Sequence, residues 1–548
     1  MNAPDPTLTA VVRRRIAADG DRPFLRRDGA APLTYHEFGL RAAAWGRLLA
    51  SYRPLGAGEP FHVGVLAENA PVWIEVLGGC LLAGATLVAL NTTRGAAELA
   101  RDAAHTRCCV VVGDGTHLER FTGAAPGTDT LAFGPEADVG LARYPFEDPG
   151  AEPAPEDLAF LLFTSGTTSA PKAVRRTHGR AVLSAAKLAA RAEVDPDGTG
   201  YANMPLFHAA ALMMVVLPAL TRGAAIYVAP RFSVSGFLDD VRRHGVTWWG
   251  YTGKPLTYLM ASPARPDDAD NPLRVAVGNE GNSAVCDAFA DRFGCTVVDT
   301  YGATEGGIGI VRRSGDPPGS LGLAPPGVRI LAADGSACPP AIVGADGTVL
   351  NAHEAVGEIV NTAGANAFEG YWDNPEATEA RGGGGVYRSG DLGYADAGGY
   401  VYFAGRTDDW LRVDGENLAA GAIERLLERH PDVLVAAVVG VADTGAGDQI
   451  LAVLQRLPGS ACDPAEVLAA MAADPDCGAK WLPRYVRVVD ELPMTASYKV
   501  ARRDLRRSWY STPGTLERTA SGLVPVDPVE LRERYARPGR AHLLDLWT

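Results

Sequence analysis

The chain has 548 residues, 51 Lys plus Arg against 65 Asp plus Glu for a formal net charge of −14, and a hydrophobic fraction of 47%. That length fits about three or four domain-sized units, and the composition excludes a disordered chain, a collagen-like fibre and a small disulfide scaffold. The acidic balance excludes a general nucleic-acid binder, which needs a basic face, but leaves nucleotides open because a few local donors can hold a phosphate.

The N-terminal stretch Met1–Gly20 has no continuous apolar core and no cleavage site, so it is not expected to act as a signal peptide. From about residue 30 to 410, helical patterns alternate with short β-rich runs: AAAWGRLLA, FHVGVLA, APVWIEVLGGCLLAG, CCVVVGDG, AAIYVAP, FSVSGFLDDVRRHG, VTWWGYTG and LRVAVGNEG. Strands separated by crossover helices imply parallel βαβ units and a large α/β body. The most apolar stretches, Val76–Leu90 and Ala209–Leu220, read as buried core helices. Both are shorter than the roughly 18–20 residues a membrane helix needs. Between about 315 and 405, Gly and Pro punctuate short strands (GVRILAADG, VGEIVNTAG, GYVYFAGR), as in a small distorted β-barrel or an antiparallel meander. After Gly405 the pattern becomes compact α+β, with an amphipathic helix near 419–430 and the strand VLVAAVVGVA. The expected fold is therefore α/β, with a large N-terminal domain of helix-flanked sheets plus the small barrel over residues 1–407. A small, mobile α+β domain is expected over 408–548. The tail after 505 is not readable from periodicity. Eight cysteines with no CxxC pair and no zinc spacing read as reduced thiols in a cytoplasmic protein.

Five segments carry chemistry. Phe160–Lys172 (FLLFTSGTTSAPK) runs a buried strand into a loop of hydroxyls and Gly closed by Pro171 and Lys172. Gly166 lets amide N–H groups turn toward an anion; Thr164, Ser165, Thr167 and Thr168 add hydroxyl donors and Lys172 a point charge. The spacing is not that of the P-loop, and the residues fit a phosphate loop and a polar turn equally. Asp299–Glu305 (DTYGATE) offers an aromatic face at Tyr301, close backbone approach at Gly302, and a carboxylate suited to Mg²⁺ at Glu305; alone it also fits a surface turn. Tyr387–Gly393 (YRSGDLG) places Asp391 at a Gly-flanked turn where it could accept two ribose hydroxyls, with Arg406 after the next strand; a hairpin with a turn Asp and a surface Arg fits as well. Arg406–Asn417 reads as a hinge plus a Gly-containing loop, and Leu492–Lys499 ends in a lysine that is either functional or simply exposed.

In order and spacing, these five together resemble the adenylate-forming superfamily of acyl-CoA synthetases, peptide-synthetase adenylation domains and luciferases, over about residues 20 to 505. Arg231–Thr247, Tyr251–Leu259, Gly278–Glu280 and the long tail past Lys499 look most like the fatty-acid-transport-protein and very-long-chain acyl-CoA synthetase branch. The resemblance implies a ligase that joins a carboxylic acid to ATP as an acyl-adenylate and then passes the acyl group to coenzyme A, with Mg²⁺ as cofactor. It implies that Thr164, Ser165, Gly166, Thr167, Thr168 and Lys172 hold the β/γ-phosphates and Glu305 the Mg²⁺. Tyr301, with Gly302 and Thr304, would face the nucleotide, Asp391 the ribose and Arg406 the ribose-phosphate region. Lys499 would bridge carboxylate and phosphate, Asp408 would be the hinge, and Gly415 would line the CoA tunnel after domain rotation. His208, Ala210, Gly278 and Ala303 would belong to the acyl pocket, and the small residues there leave room for a bulky or long apolar acid.

The chain also departs from the family. Ser169 stands where the phosphate loop usually has glycine, and at φ > 0 a serine costs about 1–2 kcal/mol. Arg175 and Arg176 stand where they could compete for phosphate. Two other readings follow: an enzyme efficient only in turning supplied acyl-AMP into acyl-CoA, fed by a partner adenylating enzyme, and an adenylating enzyme that loads a carrier protein. No membrane span and no nucleic-acid partner are expected.

Overall fold

Near-continuous apolar runs build the first sheets, as strands buried on both faces require. The protein is described here from a computed structural model that covers residues 5–56, 58–134, 147–164, 172–344, 349–364, 367–406, 410–413, 416–442, 448–474, 476–478, 480–495, 499–507 and 509–535. By contacts it divides into two compact units: Met1–Pro318 with Thr362–Tyr387, and Gly319–Asn361 with Arg388–Thr548.

The first unit holds two sheets flanked by helices. In the six-stranded sheet the order is Asp129–Ala132, Cys108–Gly113, His62–Leu66, Thr86–Ala89, Leu158–Phe163, Ala173–Thr177. All neighbours there are parallel except the last pair. The eight-stranded sheet runs Gly309–Arg312, Thr296–Gly302, Val275–Asn279, Trp248–Thr252, Thr199–Ala202, Ala225–Val228, Pro23–Arg27, Ala30–Thr34. Its two outermost pairs are antiparallel and the rest parallel. Its core gathers Phe237, Trp249, Tyr251, Phe289 and Phe293 into one aromatic cluster.

Local chemistry explains where the elements begin and end. The helix Tyr35–Ala50 starts at a capping box: Thr34 Oγ1 accepts from Glu37 N–H, and the Glu37 carboxylate accepts from Thr34 N–H at 2.8 Å. The apolar stretch 76–90 is not one helix. The helix Pro71–Ala83 stops at Gly84, which takes the left-handed conformation (φ 67°), and Thr86–Ala89 continues as a strand. The stretch 209–220 is helical but not uniformly α: the α-turn Ala209–Ala211 passes through a π-helical turn, Leu212–Val216, into Leu217–Arg222. Pro218 lacks the N–H that would close an ordinary α-turn there, which relaxes the ladder into the wider one.

The second unit contains the Gly- and Pro-punctuated segment as a five-stranded sheet, ordered Ser320–Leu323, Tyr400–Arg406, Tyr387–Ala395, Gly357–Asn361, Val328–Leu331. It also contains a two-stranded ribbon, Trp410–Val413 with Glu416–Ala419, and a second five-stranded sheet ordered Val433–Ala442, Asp448–Arg456, Tyr485–Val489, Thr515–Thr519, Gly522–Pro525. The helix expected near 419–430 spans Ala420–Leu427 and seats Ile423, Leu426 and Leu427 in the core with Leu411, Val438 and Leu454. The tail that periodicity left unread adds the last two strands, with Trp509 buried against Tyr485. No helix among the described residues is long and apolar enough to cross a membrane.

Candidate active site

Four neighbouring parallel strands of the eight-stranded sheet end on one edge: Thr199–Ala202, Trp248–Thr252, Val275–Asn279 and Thr296–Gly302. Their carboxyl ends lead into His208, Gly253–Lys254, Glu280–Asn282 and Gly302–Glu305 respectively. In α/β sheets ligands sit outside such carboxyl ends. Gly302 and Ala303 are exposed, Tyr301 and Thr304 half-buried, and Glu305 buried. His208, Ala209 and Ala210 are half-buried at the helix start just before the π-helical turn.

Buried polar bonds hold this edge in register. Thr300 Oγ1 donates to Gly278 O at 2.8 Å, and Asp299 accepts from Gly281 N–H at 3.0 Å and Tyr251 O–H at 2.8 Å. Burial pushes the Asp299 carboxyl up to about 7, against the lowering effect of Tyr251 and the Gly281 amide. Gly278 has a packing role: a Cβ there would meet Tyr251 O at 2.4 Å and its ring at 2.5 Å.

The hydroxyl-rich loop lies on the other sheet. Leu158–Phe163 and Ala173–Thr177 pair antiparallel, and Thr164 N–H donates to Lys172 O at 3.2 Å across the loop base. A strand, not a helix, follows the loop, so it lacks the helix N-terminus of a P-loop. Ser165, Gly166, Thr167, Thr168 and Ser169 lie outside the described residues, while Thr164 and Lys172 are half-buried.

Residues that sequence patterning passed over join the two sheets. Residues 370–372 line up beside the strand that leaves the loop: Val174 bridges Tyr371, Arg175 N–H donates to Gly370 O, and Trp372 N–H donates to Ala173 O. Tyr371 O–H donates to Glu305 Oε1 at 2.8 Å, and the Lys172 ammonium sits 5.4 Å from the Tyr371 ring centroid. The Arg381 guanidinium bonds the Tyr371 hydroxyl; burial opposes its charge, but Tyr371, Tyr387 and Glu305 outweigh this and raise its pKa. Arg176 does not stand ready to compete for phosphate: it is buried, donates to Thr304 O, and faces Glu369 at 4.0 Å. Glu369 in turn accepts from Thr177 N–H and Oγ1–H. Asn69 is a further tie, donating to Met204 O and Ala229 O and accepting from Leu206 N–H. Glu305 and Tyr371 are 66 positions apart, so no local spacing could have paired them.

Glu305 suits a hard cation: it is a single carboxylate with one oxygen engaged by Tyr371, and Mg²⁺ is commonly held by one or two carboxylates, substrate phosphates and water. Among the described residues no cluster of three or more His, Cys, Asp or Glu forms an all-protein metal cage.

In the second unit Asp391 lies within the strand Tyr387–Ala395 rather than at a turn, and it pairs in register with Arg406 on Tyr400–Arg406. Gly390, at φ 71°, and a bulge between Leu392 and Gly393 supply the local bend that the flanking glycines suggested. Asp391 N–H donates to Ser389 Oγ at 3.0 Å. Lys499 is half-buried at a tight return of the chain: its N–H donates to Thr495 Oγ1 and its carbonyl accepts from Thr495 N–H at 2.7 Å. Asp408 and Gly415 lie outside the described residues.

Comparisons with known proteins give the family. The family model "AMP-binding enzyme" matches residues 12–372, and "AMP-binding enzyme C-terminal domain" matches 422–499. The chain is 40% identical to the medium/long-chain-fatty-acid–CoA ligase FadD17 of Mycobacterium marinum, over 91% of this chain and 96% of that one. It is 40% identical to the steroid-22-oyl-CoA synthetase of Rhodococcus jostii over 91% of each. It is 28% identical to the human long-chain fatty acid transport protein 5, over 98% of this chain and 81% of that one. The crystal structure of the anthranilate CoA ligase AuaEII with anthranoyl-AMP superposes with a TM-score of 0.79 at 23% identity, covering 91% of this chain and 96% of that one, which is a likeness of fold. The two relatives at 40% identity are named as a CoA ligase and a CoA synthetase, and neither a thioesterification-only enzyme nor a carrier-protein loader is favoured. The chain belongs to the AMP-binding enzymes and is an adenylate-forming acyl-CoA ligase, working on a carboxylic acid with ATP, Mg²⁺ and coenzyme A.

Proposed function

We propose that the acid is long or bulky and apolar, such as a medium- or long-chain fatty acid or a steroid side-chain acid. The observation that carries this is the small residues that follow the carboxyl ends of strands in this sheet: half-buried Ala209 and Ala210 after Thr199–Ala202, and exposed Gly302 and Ala303 at the end of Thr296–Gly302. The two relatives at 40% identity, named for fatty and steroid acids, support it.

In the first half-reaction the carboxylate oxygen attacks the α-phosphorus of ATP, forming the acyl-adenylate and releasing pyrophosphate. Two anions must meet, so the site needs cations aimed at the developing charge. Residues 164–168 and Lys172 hold the β/γ-phosphates, and Tyr301, Gly302 and Thr304 seat the nucleotide. Asp391 accepts the ribose hydroxyls, and Arg406, opposite it in the strand pair, reaches the ribose-phosphate region. Lys499 bridges carboxylate and phosphate. Glu305 would hold Mg²⁺, which when bound would offset charge on the phosphates. In the second half-reaction the CoA sulfur attacks the acyl carbonyl, the thiol proton is lost and AMP leaves. Residues 1–407 then carry acid, nucleotide and metal, while 408–548 carry Lys499 and the Gly415 tunnel loop and turn about Asp408 between the two steps. His208, Ala210, Gly278 and Ala303 border the acyl group, with Gly278 acting through the ring of Tyr251. We place the enzyme in the cytoplasm, where its eight free cysteines stay reduced.

Mass spectrometry of the purified chain with ATP, Mg²⁺, CoA and a panel of short, aromatic, long-chain and steroid acids tests the reading. Acyl-CoA from the long-chain or steroid acids is expected; turnover confined to short or small aromatic acids would overturn the substrate class.

A further inference from the structure

The proposed site uses Lys172 and Glu305, but the structure places a third side chain between them. Tyr371 is 4% exposed, and its hydroxyl donates to one oxygen of Glu305 at 2.8 Å. The other Glu305 oxygen takes no hydrogen bond from the described residues. In that bond the phenol O–H is the donor and the carboxylate the acceptor. Arg381 bonds the same hydroxyl and adds positive charge beside Glu305. The ring face meanwhile lies 5.4 Å from the Lys172 ammonium, within cation–π reach.

The backbone beneath Tyr371 is tied down on both sides. Val174 bridges it from the strand leaving the phosphate loop, and its N–H donates to Thr378 Oγ1 at 3.0 Å. Thr378 sits in the helix Pro375–Gly382, which also carries Arg381 and is capped by Asn374. From the far side, Arg176 anchors the Thr304 carbonyl just before Glu305. One short segment therefore meets the lysine of one sheet through its ring and the carboxylate of the other through its hydroxyl.

We propose that Tyr371, oriented by Arg381, is the positioning residue of the Mg²⁺–ATP half of the site, fixing Glu305 so that its second oxygen faces the cation and seating the Lys172 ammonium against the β/γ-phosphates. This rests on the reading of Glu305 as the metal carboxylate. Partners that orient a metal ligand typically matter by about 10–100-fold in metal affinity.

The test uses the full chain, with Mn²⁺ followed by electron paramagnetic resonance in the presence of α,β-methylene-ATP, and analogue affinity measured separately in EDTA. Tyr371→Phe keeps the ring and loses the hydroxyl: Mn²⁺ affinity is expected to fall by about 10-fold or more, with metal-free analogue affinity unchanged. Tyr371→Leu loses the ring as well, and metal-free analogue affinity is expected to fall too. Glu305→Gln is the reference and is expected to weaken Mn²⁺ at least as much as Tyr371→Phe. If Glu305→Gln weakens Mn²⁺ while Tyr371→Phe does not, the positioning role is overturned and the role of Glu305 stands. If Glu305→Gln leaves Mn²⁺ binding intact, the reading of Glu305 falls, and this inference with it. Should a Tyr371 variant fail to fold, Arg381→Gln, which leaves both partners in place, carries the test with the same expected loss of Mn²⁺ affinity; no loss would overturn it.

Discussion

Asp299 is a buried carboxyl held by Tyr251 and the Gly281 amide directly before the proposed nucleotide segment, and its titration is a folding signature. Burial raises it to about 7, with Glu280 adding to the rise and Arg312 opposing it. An unfolded aspartate titrates near ~3.9, so the native state binds this proton more tightly. The stabilisation it gives is full below the unfolded value, is lost as pH rises toward about 7, and is flat above that. Asp299→Asn keeps an oxygen for both donors and is expected to remove this descending slope between pH 4 and 7, read as the difference in Tm–pH curves of the two proteins. Lys499 makes a different prediction. On its proposed role, Lys499→Ala slows acyl-AMP formation by on the order of 10²–10³-fold. The same variant is expected to convert supplied acyl-AMP to acyl-CoA at near the parent rate, and equal loss in both steps would remove Lys499 from the first step alone. Both half-reactions are followed by mass spectrometry.

At the scale of elements, close helix packing rather than helix propensity decides which residues are tolerated. The helices Tyr35–Ala50 and Pro71–Ala83 approach through glycines, and a Cβ at Gly79 would meet Trp45 Cβ at 2.6 Å and Gly46 N at 2.9 Å. Exchanging Gly for Ala in a helix gains roughly 0.8–1.0 kcal/mol of propensity. Overpacking a core costs about 1–3 kcal/mol, and a clash with a Cβ and a backbone nitrogen cannot be relieved by rotating a side chain. Gly79→Ala is therefore expected to be destabilising by about 1–2 kcal/mol in denaturant titration. The helix Pro375–Gly382 offers a second check, because it supports Tyr371. Its N-cap Asn374 accepts from Ala377 N–H at 3.0 Å. Asn374→Ala is expected to cost about 1 kcal/mol of stability and to weaken Mg²⁺ dependence alongside it.

At the scale of the whole molecule, the two compact units have separate apolar cores, so calorimetry is expected to resolve more than one transition. Thr164, Lys172, Tyr301, Glu305 and Tyr371 all belong to the first unit. Asp391 and Arg406, proposed for the ribose side of the nucleotide, belong to the second, so MgATP at about a hundredfold its Kd, worth roughly 2.7 kcal/mol, is expected to raise both transitions. A single transition moving as a whole would mean the units unfold together.

Some of this was legible without coordinates because the information is local. The apolar runs dictate buried parallel strands, and the hydroxyl–Gly–Pro–Lys loop, the Tyr–Gly–Ala–Thr–Glu segment, Asp391, Arg406 and Lys499 each carry a family-like motif within a few consecutive residues. Their order along the chain sufficed to identify an AMP-binding acyl-CoA ligase. The helix-and-strand division of residues 71–89 was less legible, because Gly84 interrupts an apolar run that reads as continuous. What only the tertiary structure decided is which distant groups meet. Arg176, read along the chain as a rival for phosphate, is buried against Thr304 O, and Tyr371 reaches Glu305 from a segment that looks like an ordinary Gly–Tyr–Trp turn. Periodicity records how a segment packs against whatever covers it, not which partner supplies the cover. The ties between the hydroxyl-rich loop and Glu305 arise where two sheets come together, and no spacing along the chain encodes that meeting.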